Sequence, residues 1–328
     1  MEQVVETEVT GITANKNKSM PQLNWHHVYT QDFAPVATTR STQPIEMYYE
    51  LHGTGSKKIA LLMGMNAPCQ SWDYQTCHFG AMDEYTVLCF DARGVGWTVG
   101  SWDLYNSEQW ALDFIELLDH LNWTKDIHAV GHSAGGQALM KALLLNTVPN
   151  RFLSASLLNT TAGGLRPLAG PWTIISNLFV KDPQEQMMRL IRINYTESWL
   201  NGKVDGDVTN FDHLCARIND RNSRNRPQNI GSMISQAVAS LRHWVSDKDL
   251  EIIKKSGIAT LVVSNSWDNF AYSSHSVHLA TKLSPWKFIV FDDAGHNVPT
   301  AKYEELNNLL DAFWKHAEMK QQEQLPQE

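Results

Sequence analysis

The chain contains no run of 18 apolar residues, no cluster of Lys and Arg, and no Cys-x-x-Cys pair among its four cysteines. The first absence argues against a membrane-spanning helix. The first six residues are acidic and lack an apolar core of signal-peptide length, so a soluble protein of the cytoplasm is expected. With no basic patch, a formal net charge of -8 and a pI near 5.9, nucleic acid is not an expected partner, because neutralising phosphates calls for clustered cations. Cys69, Cys77, Cys89 and Cys215 are scattered, which argues against metal or redox motifs. Three of them fall in or beside apolar stretches and read as small buried hydrophobes of a reduced protein. Asn-x-Thr sequons at Asn122, Asn159 and Asn194 would matter only after secretion. There is no internal repeat.

What is present is a strand-and-helix alternation. In 328 residues, with 43% hydrophobic residues and 12 Trp, there is enough apolar surface for one large domain or a core with an insertion. Residues 1–41 are rich in Thr, Gln, Asn and Lys and read as a loose extension. Residues 45–52 alternate like a half-buried strand, and 57–63 form an unbroken apolar run after two lysines. Further strands are expected at 85–90, 126–130, 152–158, 258–264 and 287–291, the last of these buried. Helices are expected from Asn106, where Asn106 and Gln109 make a capping box, and at 137–145, 273–283 and 301–316. This order predicts an α/β fold with a doubly wound, mostly parallel β-sheet whose ligand crevice lies at the carboxyl ends of the strands. The core takes 42–164 and 256–317, and 318–328 is a polar tail. Between them, 165–255 show helical apolar spacing without strands, which predicts a helical cap over the crevice, with Trp172, Met188, Trp199 and Trp244 among the residues that could face it.

The chain is organised around Gly131-His132-Ser133-Ala134-Gly135-Gly136, set between a strand and a helix. Small neighbours let a serine sit on a sharp turn above the sheet edge. A serine hydroxyl is a weak nucleophile at neutral pH, so it needs an imidazole to take its proton and a carboxylate to hold that imidazole. Asp268 and His296 each follow a later strand and would reach the same sheet edge. Asp292 and Asp293 are nearer to His296 in sequence, but they share its loop and are poorly placed to reach the far side of its ring. His132 lies inside the turn and is expected to point elsewhere.

G-x-S-x-G between strand and helix, in the order Ser, Asp, His, resembles the α/β-hydrolase fold family over roughly 45–316. The resemblance implies a catalytic triad of Ser133, Asp268 and His296, with an oxyanion hole from the Met65 and Ala134 N–H groups. Met63-Gly64 stands where many members have His-Gly. Asp91-Ala92-Arg93-Gly94-Val95-Gly96 looks like the family's Asp-x-Arg-Gly-x-Gly turn, a structural element. Candidate pocket residues are Asn66, Trp72, Trp172 and Trp267. Serine at the elbow disfavours the epoxide and dehalogenation chemistries of members that carry aspartate there. Hydrolysis of a small to medium apolar or lipid-like carboxylic ester through an acyl-enzyme is expected, with no metal or cofactor required. Cleavage of a C–C bond, amide or lactone, or perhydrolysis, would use the same triad, and a ligand-binding member without catalysis is the third reading.

Overall fold

Strands that read as unbroken apolar runs become the middle of the sheet, because helices on both faces leave neither side to water. The computed structural model describes residues 28–40, 44–100, 103–177 and 179–324. Its strands are β1 (Val28–Val36), β2 (Ile45–His52), β3 (Lys57–Leu62), β4 (Tyr85–Phe90), β5 (Ile127–His132), β6 (Phe152–Leu158), β7 (Lys203–Asp205), β8 (Val208–Thr209), β9 (Ala259–Asn265) and β10 (Lys287–Phe291). Helices α1 (Asp73–Gly80), α2 (Ser107–His120), α3 (Ala134–Leu145), α4 (Ala169–Asn177), α5 (Pro183–Asn194) and α6 (Glu197–Asn201) are followed by α7 (Asn210–Arg224), α8 (Ile230–Leu241), α9 (Asp247–Lys255), α10 (Ser273–Leu283), α11 (Val298–Ala301) and α12 (Tyr303–Gln324).

Eight strands form one sheet in the order β1-β2-β4-β3-β5-β6-β9-β10. β2 pairs antiparallel with β1 and β4, and every other pairing in this sheet is parallel. The chain leaves β3 for β4 on one side and then crosses back to β5 on the other. The strand order therefore reverses at β3, and the crevice of a doubly wound sheet opens at such a point, at the carboxyl ends of β3 and β5. One face is covered by α2, α3, α9 and α10, whose Phe114, Leu139, Leu250 and Leu279 join one buried cluster. The other face is covered by α1 and α12 through Phe79, Leu310, Phe313 and Trp314. The capping box of α2 forms as expected, with Asn106 Oδ1 accepting from the Gln109 amide at 2.8 Å.

The structure corrects several boundaries. Part of the stretch expected to be a loose extension is strand β1, which supplies an edge to the sheet; Phe33 sits edge-on to Tyr48 at 5.5 Å, and Ala34 and Val36 are buried. Its Pro35 is tolerated because an edge strand has one row of amides without ladder partners. Residues 1–27 lie outside the described residues. β2 is not half-buried but enclosed between β1 and β4, with only Glu46 exposed. β10, expected to be buried, is the other edge, and Val290 is 46% exposed. The cap segment holds a two-stranded ribbon, β7 with β8, and α9 belongs with the core, packed on α3 and α10. The expected polar tail continues α12 to Gln324, since Glu318 pairs with Lys57 at 2.9 Å and Gln321 bonds Asp126 at 2.6 Å.

Enclosing β2 also buries Glu50 and His52. Glu50 accepts hydrogen bonds from Tyr48 Oη (2.8 Å), Gln70 Nε2 (2.5 Å) and His52 Nε2 (2.9 Å). Burial disfavours the charged imidazole, yet hydrogen bonds to Cys89 and Glu50 and their charges outweigh it and raise His52 to about 10. Burial likewise pushes the Glu50 carboxyl up, but His52, Tyr48 and Gln70 outweigh it and hold it below its ordinary value. A raised histidine stabilises the fold fully below its unfolded value of about 6.5 and loses that contribution as the pH climbs through the folded value. Glu50 loses its contribution only as the pH falls through its lowered value. The melting temperature should therefore fall between roughly pH 6.5 and 10. Glu50→Gln, destabilised by about 3–5 kcal/mol at the acid end of that range, where His52 would be a buried cation without its carboxylate, should lose less over the range because the imidazole then gives up its proton more readily. Equal slopes in calorimetry would show that the pair carries none of the alkaline sensitivity.

Candidate active site

The elbow begins where β5 ends. Ser133 has φ 54° and ψ -120°, a conformation that costs an L-residue about 1–3 kcal/mol and is held only when its surroundings fix it. Here the Ser133 N–H donates to Leu158 C=O at 2.9 Å, and its own carbonyl accepts from Thr160 Oγ1 at 2.7 Å and from the Gly136 amide at 3.0 Å. A Cβ on Gly135 would run into the Leu62 carbonyl, and one on Gly131 into the main chain of Gly136, so the turn closes only with glycine at both places.

Three strand ends bring the remaining groups together. His296 Nε2 lies 2.9 Å from Ser133 Oγ, and His296 Nδ1 lies 2.9 Å from both oxygens of Asp268. Ser133 follows β5, Asp268 follows β9 and His296 follows β10. Asp268 Oδ1 also accepts from the Phe270 amide at 2.8 Å and the Ala271 amide at 3.0 Å, and Oδ2 from Asn159 Nδ2 at 3.0 Å. Burial works to raise the Asp268 carboxyl, but the His296 charge and the hydrogen bonds from His296 and the Phe270 and Ala271 amides outweigh it and hold it below the usual carboxylate range. The nearer acids do not compete. Asp293 Oδ1 is taken by Thr196 Oγ1 (2.8 Å) and Ser198 Oγ, and neither Asp292 nor Asp293 bonds His296 among the described hydrogen bonds.

The expected oxyanion groups flank this relay. Gly64 and Met65 follow β3, beside the elbow: a Cβ on Gly64 would approach the Ser133 side chain. Ala134 is the first residue of α3, so its N–H is one of the orphan donors of a helix start. Neither the Met65 nor the Ala134 amide donates to a protein acceptor among the described hydrogen bonds. In the turn at 91–96, Asp91 accepts from the amides of Cys69 (2.7 Å) and Trp97 (2.8 Å), pinning the segment after Met65, while Arg93 grips Asp113.

Of the candidate pocket residues, Asn66 has φ 59° and ties the loop after β3 to the cap, its Oδ1 accepting from Gln228 Nε2 at 2.9 Å. Trp72 does not line a pocket. It falls in a 3₁₀ turn, Cys69–Trp72, which packs its ring fully into the core edge-on to His132. Trp172 and Trp244 face solvent, at 69% and 62% exposure, and Trp267 is 39% exposed. Met188 is at the surface of α5, and Trp199 stacks on Tyr195 at 4.8 Å inside the cap. A small cavity of about 20 Å³, room for roughly one water, lies beside Ala134 and Gly135 and is walled by Leu62, Met63, Phe90 and Trp110. One group among the described residues has the ligand types for a metal, Glu50 with Cys69 and Cys89. It is fully buried, and its carboxylate is already engaged by the hydrogen bonds given above.

Sequence reasoning missed three contributors. His132 does not point away: its Nε2 donates to His296 C=O at 2.9 Å, and the two rings are 5.0 Å apart. Burial first, and then the His296 charge, pull His132 down to about 3, so this ring stays neutral beside the relay. Phe270 lies against the His296 ring at 4.8 Å. Asn159 stands one residue beyond β6, at the same sheet edge as the other groups, and that position was a usable signal.

The chain matches the model of the Alpha/beta hydrolase family over residues 51–309, and it belongs to that family. Over 125 residues it is 29% identical to 3-oxoadipate enol-lactonase 2 of Acinetobacter baylyi (strain ATCC 33305 / BD413 / ADP1); the matched stretch is 38% of this chain and 45% of that relative, less than half its length. Its fold is similar to a thermophilic esterase from Thermogutta terrifontis, with a TM-score of 0.69, 21% identity, and 87% of this chain and 98% of that one covered. It is also similar to a meta-cleavage product hydrolase from Pseudomonas fluorescens IP01, with a TM-score of 0.69, 20% identity, and 87% and 97% covered. Among the described residues no helix is long and apolar enough to cross a membrane.

Proposed function

We propose that the protein is a serine hydrolase that cleaves a carboxylic ester through an acyl-enzyme on Ser133. The observation that carries this reading is the 2.9 Å spacing from Ser133 Oγ to His296 Nε2, with His296 Nδ1 held by Asp268 at the same distance. In the reaction, Ser133 Oγ attacks the ester carbonyl carbon as its proton passes to His296 Nε2. Asp268 keeps Nδ1 protonated and stabilises the imidazolium. The oxyanion is held by the Met65 and Ala134 amides, which act as fixed dipoles where charge develops. His296 then returns the proton to the departing alcohol. Water repeats the cycle on the acyl-enzyme, releasing the acid and restoring Ser133.

The substrate class is a small to medium apolar or lipid-like ester. Lactone cleavage is the second reading, favoured by the likeness to a protein named as an enol-lactonase; a lactone is an internal ester and needs no further catalytic group. Assaying p-nitrophenyl acetate to octanoate, simple lactones and a vinylogous diketone side by side tests the assignment. The ester series should show the highest kcat/KM. Turnover of the lactone or the diketone without ester hydrolysis would overturn the ester reading while keeping the serine mechanism.

A further inference from the structure

The cap carries an apolar stripe that faces solvent. Leu168, Trp172, Ile175 and Phe179 recur at the spacing of one helix face along α4 and its flanking turns, and they are 82%, 69%, 51% and 81% exposed. The stripe continues past Leu165, 89% exposed, to the end of α8: Arg166 bonds Ser240 Oγ at 2.9 Å, next to Leu241 (57% exposed), with Trp244 (62% exposed) beyond. Monomeric proteins rarely leave so many neighbouring large apolar side chains in water, and such a patch marks a docking surface.

Charge says what covers it. Residues 165–244 hold ten Lys and Arg against seven Asp and Glu, in a chain whose formal net charge is -8. Two exposed cations stand at the ends of the stripe, Lys181 two residues beyond Phe179 and Arg242 between Leu241 and Trp244, and neither forms an ion pair among the described residues. Pairing of two copies across a two-fold axis would bring these like charges together or leave them facing solvent. An anionic lipid surface answers both features, taking the apolar stripe among its acyl chains while the cations stay at the headgroups. The stripe also adjoins the candidate site. The Gly170 amide in the first turn of α4 donates to Asn269 C=O at 3.0 Å, Gly170 packs on Phe270, and Phe270 lies on His296.

We propose that the stripe of Leu165, Leu168, Trp172, Ile175 and Phe179, with Leu241, Trp244, Lys181 and Arg242, docks the cap on an anionic lipid surface and so sets the crevice beside lipid-borne esters. The second half of this statement rests on the proposed hydrolase function; the first does not. The test is co-sedimentation of the full chain with phosphatidylcholine vesicles with and without phosphatidylglycerol, read without turnover. The chain should sediment with the anionic vesicles and less as salt rises. Trp172→Glu with Phe179→Glu should weaken that binding by about tenfold or more, and Lys181→Glu with Arg242→Glu should remove its salt dependence. Hydrolysis of a soluble short ester should be unchanged in both double variants, which also shows that they fold. Wild-type chain that hydrolyses the soluble ester but stays in the supernatant with every vesicle would overturn the docking. So would a dimer in sedimentation velocity that Trp172→Glu dissolves, in the absence of vesicle binding, since the stripe then covers a second copy. Vesicle binding without any ester turnover would leave the docking standing and sink the hydrolase reading instead.

Discussion

Replacing Ser133 by Ala should reduce ester hydrolysis by about 10³–10⁴-fold or more while leaving the fold intact. The size follows from what the hydroxyl supplies. In the proposed mechanism, loss of Oγ removes the acyl-enzyme and leaves only the proposed oxyanion donors, the Met65 and Ala134 amides, and His296 as the proposed base to help water attack directly. The fold should persist because the elbow is held by main-chain bonds, Ser133 N–H to Leu158 C=O and the Ser133 carbonyl to Thr160 and Gly136, which alanine retains. Circular dichroism beside p-nitrophenyl ester kinetics checks both halves. Residual activity within tenfold of the parent would mean that the acyl group never rests on Ser133.

Asp268→Asn should be nearly as severe, about 10³–10⁴-fold in kcat with little change in KM. The reason lies in the donor count. Asp268 accepts four hydrogen bonds besides its second contact with His296: one from His296, one from Asn159 and two from the amides of Phe270 and Ala271. The two main-chain donors fix the amide oxygen of an asparagine at the Oδ1 place, which turns its NH₂ group toward His296 Nδ1. The imidazole then keeps its proton on Nε2, where it can no longer take one from Ser133. Steady-state kinetics with a soluble ester reads the effect. A loss below tenfold would transfer the orienting role to another acid, although Asp293 is held by Thr196 and Ser198.

Much of this site was legible because strand ends are local features. An apolar run closed by a polar residue marks where a parallel strand delivers a side chain to the sheet edge, and Ser133, Asp268 and His296 each stand at such a place. The strain at Ser133 was foreseeable from Gly131 and Gly135, since neither position tolerates a Cβ. What local pattern withheld was the partner across space. β1 gains its burial from β2, so Phe33, Ala34 and Val36 fell within the stretch that read as a loose extension. His132 meets a carbonyl 164 positions later in the chain, and spacing within the elbow carries no trace of that contact. Trp72 was a candidate pocket residue, and the 3₁₀ turn instead directs it into the core. In the cap, helical spacing foretold helices, and Trp172 lies on one of them, α4. The spacing could not say that Trp172 looks outward, because an amphipathic pattern records which residues lie together and leaves their neighbour unspecified.

In the proposed mechanism Ser133 is a nucleophile activated by His296. Mass spectrometry of the intact protein and its tryptic peptides after treatment with a fluorophosphonate tests this most directly. The predicted result is one covalent adduct per chain, located on Ser133, abolished in Ser133→Ala and strongly slowed in Asp268→Asn. A folded chain that takes no label, or one labelled at a different residue, would contradict it.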